Sequence, residues 1–454
     1  MTRQSAGAGA LRGMCASLRA GMRPRDAGEG GSPWAQAGRS SGWEGSSAPR
    51  GFWAWWWACC RLGWARRSMA PRRCSPPSRA WDGLYRLLRV DFSWSTARVV
   101  KAAREGEEVP LRLAFAIIAG TALTILGGGS VGKEAAALQM GVAASGPLRR
   151  LAAPAQRRLL APAAMAAALG ALLDAPLAGI VFSFEVMRKR PAGPAEVACP
   201  AVAALVAWGV ARMGGARLLP GSFPKAALVV PDEVLPALGL AVAVGLIAAA
   251  MARVFCGALH GLRRGLARLG APLFALAVGG AATSLGLGYA EVFGYEGLRA
   301  YCGTGAAQIA AALAGDAPWW GFAAKAALTL LTLAGGYKGG EIMPVLAVGA
   351  GLGAAVGEGG CALAAMGGAA VPCSSGLAVS GALPAILGFS AFFAACAKCP
   401  LAAGIMAAEL FGPEAAAVSV PAIALAYLCS GQRGLYPTAI ASRDDCGARR
   451  GVLG

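Results

Sequence analysis

"GGGSVGKEAA", residues 127–136, decides how the chain is read, because it nearly spells a phosphate-binding loop. Gly127, Gly132 and Lys133 fit G-x-x-x-x-G-K, a pattern whose backbone N–H groups cradle phosphates. The next residue should be Ser or Thr, to hold magnesium, and it is Glu134. The flanking segments lack the βαβ pattern that such a loop needs. An ATP-using enzyme fails on both counts, which leaves a glycine-rich anion site of another kind.

The surroundings of the motif are apolar. Of 454 residues, 56% are hydrophobic and only 14% charged, against about 25% charged in soluble domains. Long apolar stretches recur at 111–129, 235–255 and 318–336, each near the roughly 20 residues that cross a bilayer. The composition predicts an all-α, multi-pass membrane protein, with the lipid bilayer as a partner; a plasma or inner membrane is the expected place. The net charge of +19 sits partly in short runs between apolar segments, such as Arg149/Arg150 and Arg263/Arg264, as in cytoplasmic loop anchoring. No basic helix or aromatic-interleaved patch lies outside the N-terminal tract, so no nucleic-acid partner is expected. Thirteen Cys are scattered through apolar segments, and His260 is the single histidine. Neither a metal site, a cofactor nor histidine-based catalysis has material here, and an enzyme is not expected.

Residues 1–80 differ from the rest. They hold thirteen Arg, three acids and no Lys, and "FWAWWWACC" (52–60) is too short to span. Composition assigns them to a disordered basic tail or a misassigned start. The transport region is placed at 81–440, with a short tail at 441–454.

An internal echo organises that region. "APLAGIVFSFEV" (175–186) aligns without gaps on "CPLAAGIMAAEL" (399–410), pairing Pro176 with Pro400 and Glu185 with Glu409 at an offset of 224. Gly132 pairs with Gly340, Leu138 with Leu346 and Gly141 with Gly349 at 208. The offset grows by 16 residues around 361–376, as an insertion in the second half produces. Repeats in transporters commonly pack with inverted topology around a site made from broken helices. Each half carries a Gly-rich break and then a short apolar helix: "GGGSVGKEAAALQMG" and "GGYKGGEIMPVLAVG". A helix N-terminus carries partial positive charge and unpaired N–H donors, so two that converge make an anion site. Glycines used only for close helix packing do not account for Lys133, Glu134, Lys338 and Glu341 in apolar surroundings. Ionisable residues at membrane depth are functional candidates. Ionised, Glu134 can occupy the site itself; protonated, it leaves, which makes it gate and proton carrier together.

At these residues the chain resembles the CLC family of chloride channels and anion/proton antiporters. The family's G-K/R-E-G-P reads Gly132-Lys133-Glu134-Ala135-Ala136, and its G-x-F-x-P reads Gly340-Glu341-Ile342-Met343-Pro344. "DAPLAGIVFSFEV" resembles N-x-P-L-A-G-x-x-F-x-x-E, and "GLYPTA" (434–439) falls where the family has its anion-facing tyrosine, here Tyr436. The resemblance covers roughly 84–440. It implies two inverted repeats of tilted and broken helices, a homodimer with one pore per subunit, and chloride as the first-choice anion. It makes Glu134 the gate, places the amides of Ile342 and Met343 opposite, with Gly132, Lys133, Ala135 and Gly340 beside them, and has Tyr436 donate from the inner side. The first signature, G-S-G-I-P, is absent; Ser95 or Thr96 stands in its place. Val186 stands where the antiporters have a second glutamate. Glu341 resembles the fluoride-transporting branch, where it is linked to proton coupling, whereas Met343 replaces that branch's Thr. A fluoride/proton antiporter and an inactive remnant lacking the first helices remain the alternatives.

Overall fold

Glycine and proline punctuate the apolar sequence, and the helices start and stop where they fall. The computed structural model describes residues 87–91, 94–126, 128–154, 156–188, 191, 193–215, 234–268, 301–366 and 382–436. The expectations for 1–80 and 441–454, and the place of Gly127, lie outside the described residues. Regular structure within them is helical. α1 (Thr96–Glu105), α2 (Arg112–Leu126) and α3 (Glu134–Leu151) come first, then α4 (Arg157–Leu173), α5 (Pro176–Met187), α6 (Pro194–Met213) and α7 (Val234–Arg268). The second half holds α8 (Ala306–Ala314), α9 (Gly321–Ala334), α10 (Ile342–Met366), α11 (Leu383–Ala397), α12 (Pro400–Phe411) and α13 (Pro413–Cys429).

The repeat is written in the helix ends. α2 and α9 stop 208 positions apart, and α3 and α10 start 208 apart. α4 and α11 stop 224 apart, and α5 and α12 start 224 apart, each with proline at its first position. Between them Asp174 (φ 55) and Lys398 (φ 61) take the same left-handed turn, a conformation that costs a side-chain-bearing residue energy and is kept in both halves. α10 runs 25 residues against 18 for α3, so part of the insertion is extra helix.

Two of the three apolar stretches form shorter helices than expected. α2 has 15 residues and α9 has 14; at about 1.5 Å per residue that is about 22 Å, short of the roughly 30 Å hydrocarbon core. Glycines end both helices, so hydropathy there outruns helix length. Among the described residues, segments of α6, α7 and α10 are long and apolar enough to cross a membrane.

α11 is the core, buried from Leu383 to Ala397 apart from half-buried Pro384, and packed against α10, α7, α12 and α13. Its contact with α10 is backbone on backbone. A Cβ on Gly388 would lie 2.1 Å from the Gly349 carbonyl oxygen, and one on Gly353 would lie 1.9 Å from that of Pro384. This is the close approach that small residues allow between helices in lipid.

Candidate anion site

The two glycine-rich breaks meet. Gly132 N–H donates to the Gly340 carbonyl and Gly340 N–H donates to the Gly132 carbonyl, both at 2.7 Å, as an isolated antiparallel bridge. Equivalent residues exchanging equivalent bonds mark a local two-fold axis. Glycine is needed at Gly340, where a Cβ would sit 2.8 Å from the Ala135 backbone nitrogen; one on Gly132 would sit 2.4 Å from Glu134 Oε2, which would have to move. α3 and α10 start directly after the bridge, so their positive ends lie together. The bridge also changes the parts assigned to its members. The Gly132 and Gly340 amides serve each other and join the helix ends; of the expected donors this leaves the first-turn amides of Ala135, Ile342 and Met343, which have no partner within their own helices by position.

A second exchange repeats the symmetry. The Glu185 carboxylate accepts from the amides of Leu401 (3.1 Å) and Ala402 (2.8 Å), while Glu409 accepts from Leu177 (2.9 Å) and Ala178 (2.8 Å). Each glutamate caps the helix of the other half. The sequence paired these glutamates with one another but did not reveal the exchange.

Glu134 is the first residue of α3 and is fully buried; neither carboxylate oxygen has a protein hydrogen-bond partner. The carboxylate lies against Gly132, the position a side chain there would take. A buried carboxylate is costly to keep ionised; the Lys133 charge and the Lys133 and Glu134 amides nearby offset part of that, and taking a proton or moving relieves the rest. Lys133 precedes it with its side chain exposed.

Glu341 is treated differently. It is buried, and Thr96 Oγ1 donates to its Oε2 at 3.2 Å. Gln139 Nε2, from α3, donates to the same Thr96 oxygen at 2.9 Å. These three side chains line a cavity of about 300 Å³ together with Arg263, Lys338 and Leu435. Lys338 Nζ donates to the Trp94 carbonyl at 3.0 Å, tying the loop before α10 to the start of α1. The buried Tyr436 hydroxyl faces the Glu341 carboxyl group. Its ring rests edge-on against Phe182 at 6.3 Å, and Leu435 N–H donates to the Cys396 carbonyl at 2.9 Å. Of the two stand-ins for the missing first signature, Ser95 spends its oxygen capping α1, by accepting from Arg98 N–H, and Thr96 faces Glu341.

Sequence reasoning missed Gln139, Arg263 and Lys325. Lys325 is 1% exposed in α9, and its ammonium donates to the carbonyls of Tyr301 (3.1 Å) and Gly303 (2.8 Å). Gly303 N–H donates in turn to Gly129, in the loop before Gly132. The signal for Gln139 and Lys325 was present: each is a polar residue inside an apolar helix.

Paired helix ends around a buried glutamate, with hydroxyls close by, belong to a membrane protein that passes anions. The chain is a member of the family described as voltage gated chloride channel, which matches residues 88–431; its members are channels or transporters. A chloride/fluoride channel protein from Pseudomonas syringae pv. tomato is 32% identical over 347 residues, covering 72% of this chain and 69% of that one. Among solved structures, a CLC-type fluoride/proton antiporter superposes with a TM-score of 0.64 at 25% identity, over 79% of this chain and 85% of its own. A slow cyanobacterial chloride/proton antiporter, with a TM-score of 0.61 at 19% identity over 78% and 84% of the two chains, shares the fold.

Proposed function

We propose that this anion transporter carries a small halide past the N-termini of α3 and α10, with Glu134 as gate and Glu341 as a second proton-carrying group, and that fluoride is its preferred cargo. The observation that carries the reading is Glu341: a buried acid hydrogen-bonded to Thr96 on the wall of the cavity beside Tyr436. Two compared proteins, the bacterial channel and the antiporter at 25% identity, are described as handling fluoride. Met343, where the fluoride branch has Thr, favours the second reading, in which chloride is the cargo and the larger, softer side chain suits the larger ion. The chain works as a multi-pass homodimer in a plasma or inner membrane; exposed Leu177, Leu401, Val206 and Leu428 give it apolar surface to lay against lipid and a second copy. The test is efflux from proteoliposomes loaded with fluoride or chloride, with proton movement recorded. Fluoride efflux faster than chloride, accompanied by opposite proton movement, supports the reading. Chloride efflux without proton movement favours the second, and no efflux of either ion defeats both.

A further inference from the structure

Thr96 has one proton and two claimants. A hydroxyl offers one donor and two lone pairs. In the structure the Gln139 amide takes one lone pair at 2.9 Å, and the hydroxyl proton goes to the Glu341 carboxylate at 3.2 Å. Gln139 is buried and its Oε1 has no partner. Turning the amide over would satisfy that oxygen with the Thr96 proton, but would take the donor from Glu341. The amide orientation is therefore what holds the Thr96 proton on the acid. The three side chains come from α1, α3 and the residue before α10, 43 and 245 positions apart in sequence, and all three line the same cavity.

We infer that Thr96, positioned by Gln139, is a donor switch that couples protonation of Glu341 to anion binding in the cavity. With Glu341 ionised, the Thr96 O–H points at the carboxylate, and a cavity anion meets only oxygen lone pairs from that side. When hydronium transfers a proton to Glu341, water is released and the acid acquires an O–H of its own. That O–H donates to the remaining lone pair of Thr96. The Thr96 proton is displaced and turns into the cavity, where an anion accepts it. Proton and anion each favour the binding of the other, by the same factor in both directions. Arg263 from α7 and the Tyr436 hydroxyl also face Glu341, and Lys338 from the loop before α10 lines the same cavity. The cations set a standing field; of the two hydroxyls that face Glu341, Thr96 is the one that Gln139 holds and that lines the cavity. The inference rests on the anion-transport reading and adds a residue pair to it.

The test counts protons taken up per anion bound, by calorimetric titration of the purified full-length chain with sodium fluoride and sodium chloride in buffers of different ionisation enthalpy. It is done in a Glu134→Gln background, so that the gate contributes no proton. The switch predicts proton uptake with anion binding, retained in Thr96→Ser, lost in Thr96→Val and Glu341→Gln, and diminished in Gln139→Leu, where the third Thr96 orientation opens. Thr96→Ala removes the hydroxyl without bulk and serves if the valine variant does not fold. Unchanged uptake in Thr96→Val or Thr96→Ala overturns the switch, as does anion binding without uptake in the background protein. If that protein binds neither ion, the anion reading itself fails.

Discussion

Gly132-Lys133-Glu134 and Gly340-Glu341-Ile342 are the two ends of one backbone bridge, and they place their acids differently. In the first half the glutamate is the opening residue of α3, two after the bridge glycine, and its carboxylate lies unpartnered against Gly132. In the second the glutamate directly follows the bridge glycine, before α10 begins, and is tied to Thr96. A two-fold backbone thus carries asymmetric chemistry. An acid without protein partners gains from leaving or taking a proton, whereas a tethered one keeps its place while its proton comes and goes. On the function proposed above, the difference separates a gate from a relay, although both acids sit at helix ends that favour negative charge.

The bridge itself is the place to break the comparison most severely. Gly340→Val puts branched carbon where the Ala135 nitrogen and the Gly132 carbonyl lie 2.8 and 3.0 Å from the first added atom. Overpacking costs about 1–3 kcal/mol even where side chains can yield, and here the neighbour is backbone. The expected outcome is loss of the monodisperse species in detergent chromatography and of all flux. A monodisperse Gly340→Val protein with wild-type flux would mean that the two helix ends do not need the bridge.

Glu341→Gln sharpens the comparison from the other side. It removes the relay's proton and leaves Glu134 in place. Anion flux is expected to continue with no accompanying proton movement, read with a pH electrode and an ion-selective electrode on the same vesicles. Coupled flux in this variant would take the relay role from Glu341.

Smaller effects are expected at the reciprocal caps. Glu185→Ala and Glu409→Ala each remove the acceptor of two helix-end amides, worth about 0.5–2 kcal/mol by analogy with helix caps. The two-fold arrangement predicts similar losses for both, seen as similar drops in the thermal unfolding midpoint. A drop in only one would show that the halves share the bonds but not their weight.

The repeat was legible in the sequence because its anchors are special residues. Pro176 and Pro400, Glu185 and Glu409, and the bridge glycines each do a job that few residue types can do, so spacing alone locates them. Helix lengths were less legible, since hydropathy continued through the glycines that end α2 and α9. The Thr96–Gln139–Glu341 cluster was not legible. Thr96, Gln139 and Glu341 meet only because α1, α3 and α10 pack together, and no local pattern encodes a contact across 245 positions. The lost amides of Gly132 and Gly340 teach the same lesson: the motif foretold converging helix ends, and only the folded chain shows which donors the convergence consumes.

The central claim is that Glu134 competes with the anion for the paired helix ends. Its most direct test is anion efflux from proteoliposomes between about pH 4 and 8, a range that spans ordinary carboxylate titration and beyond, for wild type, Glu134→Gln and Glu134→Ala. Wild-type efflux is predicted to rise as the pH falls, because protonation frees the site, and both variants are predicted to keep efflux at a rate independent of pH. If Glu134 only caps α3, the variants lose about 0.5–2 kcal/mol of stability and keep the wild-type pH profile, which would contradict the account.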